Sequence, residues 1–573
     1  MIRSCIVKVK KCRLLLCGLH FLERGIRMEK NNRCHRSIAA LLVLCMLLLT
    51  ACGGKGKSGN VTDEIPSNVI DDNYRTYYEV FVYSFYDSDG DGTGDLQGLI
   101  SKLDYINDGD DTTDTDLGCN GIWLMPVHPS PTYHKYDVVD YYDIDPVYGT
   151  LDDFKELLAA CEERGIKVIM DLVLNHSSSQ NPWFLQACDY LRNLGDGEPD
   201  VKECPYVEYY NFSKEPQTGY CAVAGTDWYY EAQFWSEMPD LNLGCEALRS
   251  EIEDITKYWL DMGVGGFRLD AVKEYYSGDT QKNVDVLRWF TDVVKSQKED
   301  AYLVGEAWLN IDEYAKYYES GMDSLFDFAF AGAEGVIAKA LNSPSSEKYG
   351  TVNESLQSTF GQYNENYIDA PFYTNHDMPR SAGYYVGENT ENKTKLAGAM
   401  NIFMGGSVFI YYGEELGMKG SGKDENKRAP MYWSKNADSE GMCDGPADMD
   451  DFEMKYDSLE EQEKDDGSIY QYYKKAVKIR NQNPEIARGS VEYLTNISDN
   501  NFCVLKKTWN DSEIILIFHT GAETESIDVS ALTVNGEAIS EKSIRALLES
   551  GEEHISMNGT QVTMPGYSVI VLK

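Results

Sequence analysis

The chain has 573 residues, which is long enough for one large domain with smaller satellites. Its formal net charge of −42 argues against nucleic acid as a partner, because phosphate backbones bind to basic surfaces. The chain is 12% aromatic, with 40 Tyr and 9 Trp, so aromatic faces are available both for core packing and for stacking against ligand rings.

The first segment in chain order is predicted to be an export signal. Residues 38–51 form an apolar run that follows Arg33 and Arg36 and is too short to span a membrane comfortably. The run leads into LTAC at residues 49–52, which resembles a bacterial lipoprotein signal. The resemblance implies cleavage before Cys52 and lipid attachment to its thiol, which would anchor the chain to a membrane surface without spanning it.

The predicted leader covers residues 1–51, and an extracytoplasmic, lipid-anchored location on the bacterial cell membrane is expected. An ordinary signal peptide or an uncleaved anchor is the alternative. Residues 1–27 are interpreted as an upstream misannotation, because Met28 and the basic residues after it make a better start for a signal peptide. A tryptic peptide from residues 1–27 in the product would contradict this interpretation. Residues 52–73 begin with a glycine-rich stretch and are predicted to be a flexible tether.

From residue 74 onward, short apolar runs alternate with amphipathic helical segments, a pattern typical of a parallel barrel. The segment 152–165 is one such helix, and Gly165 marks its end. The eight predicted strands lie at residues 77–85, 121–127, 165–175, 266–272, 301–307, 325–330, just before 375–377, and at 407–415.

Two regions depart from this alternation. Residues 177–240 show no clear cycle of helix and strand, and a loop this long inside a compact domain usually has a function. After residue 489 the pattern changes to short strands separated by turns, for example at 501–509 and 512–520. This change predicts an antiparallel β-sandwich over residues 490–573.

Four short segments carry most of the chemical information: DLVLNH at 171–176, GFRLDAV at 266–272, LVGEAW at 303–308 and TNHD at 374–377. Three of them place a carboxylate at the end of a short apolar run, namely Asp270, Glu306 and Asp377. An apolar run that ends in charged residues predicts a buried barrel strand that delivers side chains to its C-terminal rim. Two carboxylates held near each other are the groups that cleave a glycosidic bond.

In this order, the four segments resemble the four motif regions of the α-amylase family of glycoside hydrolases, and MPDLN at 238–242 resembles a fifth. The resemblance extends from about residue 74 to the C-terminus. It implies an α/β fold, a (β/α)8 TIM barrel with an inserted domain after strand 3 and a C-terminal antiparallel β-sandwich. The implied domains are the barrel at 74–176 and 241–489, the inserted domain B at 177–240 and the sandwich at 490–573.

The resemblance implies a retaining mechanism that uses three acidic residues. Asp270 matches the nucleophile, which has to stay ionised, and Arg268 on the same face of the strand would hold it in that state. Glu306 matches the general acid and base, and the apolar residues before it should help to raise its pKa. Asp377 matches the third carboxylate, which stabilises the oxocarbenium-like transition state. Asp171 is expected to be structural and to hold Arg268 in a buried pair.

Several matched positions are expected to bind the sugar. His176 and His376 would bind hydroxyl groups of the residue at the cleavage point, since both lie inside matched motifs. Tyr136 would stack on the sugar ring, with His134 nearby. Arg268 is counted with these residues because of its contact with the nucleophile.

Three further positions complete the predicted substrate-binding set. Asp137 stands where some relatives bind a terminal glucose, Arg380 is interpreted as a hydroxyl-binding or ion-pairing residue, and Lys273 would reach a sugar beyond the cleavage point. In many members of the family a His follows this lysine, and its carbonyl helps to bind a calcium ion between the barrel and the inserted domain. Glu274 stands there in this chain, which leaves that second calcium site open.

A separate metal site is predicted in DSDGDGTGD at residues 87–95, where oxygen ligands alternate on a tight glycine-rich loop that suits Ca²⁺. The predicted ligands are Asp87, Asp89, Asp91, the carbonyl of Thr93, and Asp95. The spacing resembles the first part of an EF-hand, but position twelve is Gly98 instead of Glu. Relatives carry the same loop after the first barrel strand, so a structural Ca²⁺ is expected; an acidic solvated turn is the alternative.

The cysteines leave one question open. Cys188, Cys204, Cys221 and Cys245 cluster in one region and are able to form disulfides in an oxidising environment outside the cell. Their pairing does not follow from the sequence. The chain has no CxxC metal-binding spacing.

The sequence therefore predicts a surface-anchored retaining glycoside hydrolase that cleaves α-1,4-glucosidic bonds in starch and maltooligosaccharides. A neopullulanase- or cyclodextrinase-like enzyme, or an α-glucosidase acting on short maltooligosaccharides, is a close alternative, toward which HKYD at 134–137 and MPDLN at 238–242 point. Ala271, directly after Asp270, favours α-1,4 over α-1,6 linkages by analogy with relatives.

An alternative from a different class is a non-catalytic, glucan-binding surface lipoprotein. The presence of all three predicted carboxylates argues against it. Transglycosylation is not distinguished from hydrolysis, because both proceed through the same covalent intermediate and differ only in the acceptor.

Overall fold

The structure is a computed structural model that describes residues 72–110, 112–343 and 345–573. The predicted leader, Cys52 and most of the predicted tether lie outside these residues, so lipid attachment stays a prediction. Within the described ranges, no helix combines the length and the apolar character that crossing a bilayer requires.

Eight parallel strands form a barrel, which confirms the predicted fold class. Nearly all of their residues are buried, as expected for parallel strands that are covered on both faces. The barrel strands are β1 (Thr76–Val80), β2 (Gly121–Leu124), β3 (Lys167–Leu172), β4 (Gly266–Leu269), β5 (Tyr302–Gly305), β6 (Ser324–Asp327), β7 (Ala370–Pro371) and β8 (Val408–Tyr411).

The strands close into a complete ring. Each of β1 to β6 pairs in parallel with the next strand, and β1 also pairs with β8. A parallel bridge between Phe372 and Phe409 joins the end of β7 to β8. The lower interior is filled by aromatic rings, with Tyr77 stacked on Tyr302 at 5.3 Å and on Phe409 at 4.9 Å. The barrel is therefore a packed core, and its chemistry is confined to the rim.

Several strands end earlier than the sequence predicts. β1 stops at Val80, and a 3-10 helix at Val82–Ser84 follows where the predicted strand continues to residue 85. β8 stops at Tyr411, four residues before the predicted end. The chain leaves the sheet at these points because the loops have to rise to the C-terminal rim, and the remaining apolar residues pack within those loops.

The helices alternate with the strands, as predicted. The α-helices outside the inserted segment are Leu96–Ser101, Leu103–Ile106, Leu151–Glu163, Glu246–Met262, Thr280–Gln297, Ile311–Tyr314, Val336–Asn342, Ser346–Gly361, Thr390–Ile402, Asp424–Lys427, Leu459–Gln462, Ile469–Gln482 and Pro484–Arg488. The helix predicted at 152–165 begins with a capping box of Thr150 and Asp153 and is followed by Gly165, whose φ is 73°. Its buried residues follow a helical spacing and are Phe154, Leu157, Leu158 and Cys161.

The segment between β3 and β4 forms a small structure of its own. It contains a helix at Pro182–Leu194, which Asn181 caps, and a sheet of three antiparallel strands. These strands are Phe212–Ser213, Tyr220–Ala222 and Tyr229–Glu231, with the last in the centre. An antiparallel bridge between His176 and Asp240 joins the two ends of the segment. Both ends therefore meet at the rim above β3.

The C-terminal region consists of antiparallel sheets, as predicted. One sheet has five strands, in the order Ser490–Tyr493, Phe502–Trp509, Ser512–His519, Ser568–Leu572 and Ile544–Glu549. A second has three strands, in the order Glu525–Asp528, Gln561–Met564 and Ser556–Asn558. A two-stranded ribbon at Thr533–Val534 and Glu537–Ala538 completes the region. Apolar residues of these sheets share one core, as in a sandwich.

Candidate active site

One buried arginine organises the C-terminal rim of the barrel. Arg268 on β4 has no exposed surface, and its guanidinium contacts one carboxylate within β3 and the carboxylates that directly follow β4 and β5. Its Nη1 lies 2.7 Å from Asp270 Oδ1 and 2.9 Å from Asp171 Oδ2. Its Nη2 lies 3.0 Å from Glu306 Oε2. The predicted pairs of Arg268 with Asp171 and Asp270 are thus present, and the planar fork of donors gathers all three acids.

Asp270 and Glu306 each lie one residue beyond a strand. β4 ends at Leu269 and β5 ends at Gly305, so the sequence placed both carboxylates correctly at the rim. The amide of Ala271 donates a hydrogen bond of 3.1 Å to Glu306 Oε2, which sets this carboxyl beside Asp270. Ala271 has a φ of 45°, in the left-handed region that residues other than glycine rarely adopt. Such strain, typically about 1–3 kcal/mol, is often found where a site has to hold fixed geometry.

The environment of Glu306 suits a proton donor. Burial raises the pKa of Glu306, the Arg268 guanidinium opposes this, and the carboxylates of Asp270 and Asp377 raise the pKa further, to about 7. An exposed Glu has a pKa of roughly 4.3, so Glu306 stays protonated over a pH range in which ordinary glutamates are ionised. A carboxyl group of this kind is able to protonate a leaving group near neutral pH.

Asp377 contacts two cationic side chains. Its Oδ1 lies 2.8 Å from Arg428 Nη2, and its Oδ2 lies 3.1 Å from His376 Nε2. Burial on its own would raise the pKa of Asp377, but His376 and Arg428 hold this pKa well below its usual range. The side chain is 35% exposed, so an ionised carboxylate faces the open side of the rim. Arg428 also donates to the Tyr133 hydroxyl at 2.9 Å, which fixes its position.

His376 lies beneath Asp377 and is fully buried. Its Nδ1 is 2.5 Å from Glu79 Oε1, and its Nε2 is 2.7 Å from the Tyr136 hydroxyl. The Tyr136 ring stacks on the His376 ring with centroids 5.5 Å apart, and its hydroxyl donates to Asp171 at 3.0 Å. Both residues therefore belong to the carboxylate cluster, while their contacts with a sugar stay predictions.

His176 and His134 are neutral groups on the same rim. Burial lowers the pKa of His176. Burial, together with the charge of Arg428, lowers the pKa of His134 to about 4. A neutral imidazole offers one donor and one acceptor, which suits a hydroxyl group. His176 Nε2 is buried and has no hydrogen-bond partner among the described residues, as an atom awaiting a ligand would be.

Arg380 has a different environment from the one expected. It is 2% exposed and makes no ion pair within the part of the chain that the structure describes. Its Nη1 donates to the carbonyl of Tyr412 at 2.6 Å, its Nε donates to the carbonyl of Lys427 at 2.9 Å, and its guanidinium lies over the Tyr411 ring. Arg380 therefore ties the loops after β7 and β8 together. The ion pair with Asp377 belongs to Arg428.

Asp137 and Lys273 also bond within their own loops. Asp137 has no exposed surface, and its carboxylate accepts hydrogen bonds from the hydroxyls of Ser130, at 2.7 Å, and Thr132. Lys273 forms an ion pair with Glu274, the residue that replaces the family's usual His. The second carboxylate oxygen of Asp137 has no hydrogen-bond partner among the described residues, and the roles of both side chains in sugar binding stay predictions.

Three large aromatic side chains remain exposed. Phe234 is 53% exposed, Trp235 49% and Trp308 46%, and no other Phe or Trp in the described ranges reaches this exposure. Phe234 lies 5.4 Å from the His176 ring, centroid to centroid. Trp308 follows Glu306 by two residues and stacks on Phe328 with centroids 5.1 Å apart. Exposed rings beside a polar site are suited to stacking against a ligand, whereas core aromatics are covered.

The predicted calcium loop brings three of its carboxylates together. Oxygen atoms of Asp87, Asp89 and Asp95 lie within 4.8 Å of one another. No lysine or arginine among the described residues pairs with them, and amides of the same loop and of the helix that follows it donate to Asp87 and Asp95. Asp91 lies outside this group and accepts a hydrogen bond from the amide of Thr93. The donor set therefore fits a hard divalent cation, with a smaller set of carboxylates than the sequence suggests.

The junction of the barrel and the inserted segment is where the sequence left a second calcium site open. Asn175 Nδ2 donates to Asp240 Oδ1 at 3.3 Å, and no cluster of three ligating side chains lies there within the described ranges. The eight cysteines that the structure describes are all free thiols, including the four in and near the inserted segment. The open possibility of disulfides in that region is therefore not realised in this structure.

Sequence reasoning missed Glu79 and Arg428. Glu79 interrupts an otherwise uncharged strand, TYYEV, and a carboxylate in a fully buried strand is a signal that a partner lies nearby. Arg428 lies in a polar loop after β8 and carries no comparable local signal. Only the folding of that loop over the rim brings it to Asp377.

Comparisons with known proteins match this arrangement. The family described as "Alpha amylase, catalytic domain" matches residues 79–489. Alpha-amylase 3 of Dictyoglomus thermophilum is 39% identical over 449 residues, which cover 77% of this chain and 83% of that protein. Glucan 1,6-alpha-glucosidase of Streptococcus pneumoniae is 30% identical over 522 residues, which cover 79% and 92%.

Two solved structures share the fold over most of their length. Eubacterium rectale Amy13B has a TM-score of 0.85 at 49% identity and covers 89% of this chain and 97% of its own. The α-amylase from H. orenii has a TM-score of 0.75 at 36% identity, with coverage of 87% and 99%.

Proposed function

The chain belongs to the α-amylase family of glycoside hydrolases, and on this basis we propose that it cleaves α-1,4-glucosidic bonds in starch and maltooligosaccharides. The observation that carries the proposal is that Arg268 forms ion pairs with both Asp270 and Glu306, while the pKa of Glu306 is raised to about 7. Two of the proteins described above are named α-amylases, which supports the choice of linkage.

In the proposed mechanism, Asp270 attacks the anomeric carbon while Glu306 protonates the departing oxygen. Arg268 pairs with the attacking carboxylate of Asp270 at 2.7 Å. After the leaving group departs, Glu306 takes a proton from water, and that water releases the sugar from Asp270 with retained configuration. The ionised carboxylate of Asp377 stabilises positive charge on the sugar ring in both steps.

The exposed aromatic rings support a chain-like substrate. Trp308, which stacks on Phe328, follows the proton donor Glu306 by two residues. Phe234 and Trp235 come from the inserted segment, and Phe234 contacts His176. Rings on separate elements of one rim provide stacking positions for more than one glucose unit.

The test is the product profile on soluble starch, maltotriose and pullulan. We expect a fast fall in starch viscosity with release of mixed maltooligosaccharides, because exposed rings beside the acid let a long chain continue past the cleavage point. Release of glucose alone from the first time points would instead favour α-glucosidase action on short maltooligosaccharides. Cleavage of pullulan in preference to starch would favour a neopullulanase-like enzyme, and no cleavage of any substrate by folded protein would favour a binding protein.

We also propose that Asp87, Asp89 and Asp95 hold a structural Ca²⁺. A bound cation would cross-link the ends of the loop that follows β1, because the three carboxylates come from both ends of one turn. Excess Ca²⁺ should raise the thermal unfolding midpoint above that in EGTA by about 5 °C. Asp89→Asn should remove this difference. Asp91→Asn is the matched control, and equal Ca²⁺ responses in the two variants would contradict the assignment.

We propose that the enzyme acts at the cell surface through a lipid on Cys52. The support is the LTAC sequence at 49–52. In the native host, starch hydrolysis should follow the cell fraction, and Cys52→Ala should shift it away from the membranes. Activity that stays with the membranes in this variant would rule out this anchor.

A further inference from the structure

A buried carboxylate on β1 reaches the reaction rim through a histidine in the loop after β7. Glu79 in β1 is 1% exposed, and its Oε1 lies 2.5 Å from His376 Nδ1. On its other edge, His376 Nε2 lies 3.1 Å from Asp377 Oδ2 and 2.7 Å from the Tyr136 hydroxyl. A continuous chain thus runs from Glu79 through His376 to the predicted transition-state carboxylate.

The proton count along this chain is constrained. Tyr136 has one hydroxyl proton, and Asp171 Oδ2 is its acceptor at 3.0 Å, so the Tyr136 oxygen can only accept from His376. Glu79 and Asp377 are acceptors when ionised. Both nitrogens of His376 therefore face acceptors. Burial raises the pKa of Glu79, and the charges of His376 and Arg268 oppose this rise. With Glu79 and Asp377 both ionised, a neutral ring would leave one nitrogen without a proton opposite an acceptor, so the arrangement is then fully satisfied by a His376 imidazolium.

We propose that Glu79 is a positioning residue that holds His376 as an imidazolium, so that Asp377 stays ionised and aimed at the sugar during glucan hydrolysis. The proposal rests on the proposed function for its catalytic consequence. The protonation state of His376, which its contact with Glu79 sets, does not depend on the substrate.

The surroundings of His376 support the charge. Burial lowers the pKa of His376, but the carboxylates of Asp377 and Glu79 outweigh it and raise this pKa to about 9. The ring also stacks on the face of Tyr136, with centroids 5.5 Å apart, and an aromatic face attracts a cation. The other charged groups of this cluster are Asp171, Arg268 and Arg428.

The sign of the pH effect follows from these contacts. A raised pKa means that the imidazolium persists as pH increases past the ordinary value of about 6.5 and is lost only when pH passes the raised value. In the wild-type protein, His376 therefore stays charged throughout the range in which Glu306 is protonated. Without the Glu79 charge, the pKa of His376 should fall by about 1–3 units, which brings its deprotonation into that range.

The first measurement is the protonation of His376 by NMR of ¹⁵N-histidine-labelled protein. The His376 signal is assigned by its absence in His376→Gln. We expect both ring nitrogens of His376 to stay protonated past pH 8 in the wild type, and the midpoint to fall by about 1–3 pH units in Glu79→Gln. Glu79→Asp, which keeps the charge, should retain most of the raised midpoint. A wild-type midpoint near the ordinary value of about 6.5 would overturn the proposal without any variant.

The second measurement is the pH profile of kcat/KM on a maltooligosaccharide. Glu79→Gln should lose proportionally more kcat/KM at pH 8 than at pH 5, and Glu79→Asp should recover the wild-type shape. The matched control is Glu415→Gln, because Glu415 is a buried barrel glutamate that accepts from Tyr78 and Tyr105 and contacts no histidine. Its profile should keep the wild-type shape.

The two readouts separate the possible failures. A uniform loss of kcat/KM at all pH values in Glu79→Gln, with an unchanged His376 midpoint, would show a purely structural role and overturn the proposal. If the wild-type protein cleaves no glucan, the proposed function fails, while the NMR midpoint still decides whether Glu79 protonates His376.

Discussion

Asp270→Asn should lower kcat for starch hydrolysis by about 10⁴-fold or more, because an amide cannot form the covalent glycosyl intermediate. The variant should still fold. Arg268 keeps its contacts with Asp171 and Glu306, at 2.9 Å and 3.0 Å, so its guanidinium is not left without a carboxylate. The thermal unfolding midpoint of the variant, compared with that of the wild type, checks this point.

The covalent role has a direct readout. A 5-fluoro-α-glucosyl fluoride should trap the intermediate, and mass spectrometry of the digested wild type should find the sugar on Asp270. Asp270→Asn should carry no label, while Asp171→Asn, at the neighbouring position on Arg268, should still be labelled even if more slowly. A sugar found on another residue, or an Asp270→Asn variant with near-normal kcat, would remove Asp270 from the role of nucleophile.

Glu306→Gln should lower kcat on starch by about 10²–10⁴-fold, since the departing oxygen of a glucan needs a proton. The loss should shrink on a glucoside with a good leaving group, such as a dinitrophenyl group, because such a group departs without protonation. Added azide should then speed turnover of the variant by replacing the water that Glu306 activates in the second step.

The pH profile gives an independent check on Glu306. Since its pKa is raised to about 7, the wild-type kcat/KM should fall as pH increases through about 7, where the proton donor is lost. This alkaline limb should be absent from Glu306→Gln when the activated glucoside is the substrate. A limb that persists unchanged in the variant would assign the proton donor to another group. Glu274→Gln, outside the Arg268 cluster, should keep the wild-type profile.

Both predictions depend on one feature of the fold. Arg268 is buried and pairs with three carboxylates. Asp270 and Glu306 therefore contact the same guanidinium, but through different nitrogen atoms. Asp270 takes its contact from Nη1 at 2.7 Å, whereas burial and two neighbouring carboxylates act on Glu306 and raise its pKa. This environment favours the protonated form of Glu306, which is what a proton donor requires.

The sequence alone was sufficient to predict the barrel and the positions of Asp270 and Glu306 at its rim. Parallel strands buried on both faces give apolar runs, and the runs that end in Asp270 and Glu306 correspond to β4 and β5. Asp377 instead lies in the loop after β7, which ends at Pro371. The same periodicity identified the helix at 152–165 and the paired strands at 501–509 and 512–520. These features are local, so each one is contained in a few consecutive residues.

Only the tertiary structure decided which side chains meet. Arg428 reaches Asp377 from a loop 51 residues away, and Glu79 reaches His376 across 297 residues. Arg380, only three residues from Asp377, instead bonds to backbone carbonyls under the rim. Contacts of this kind depend on how loops fold over a closed barrel, because burial forces each charged group to find a partner wherever the chain brings one. Periodicity and motif spacing therefore do not predict which distant residues become partners.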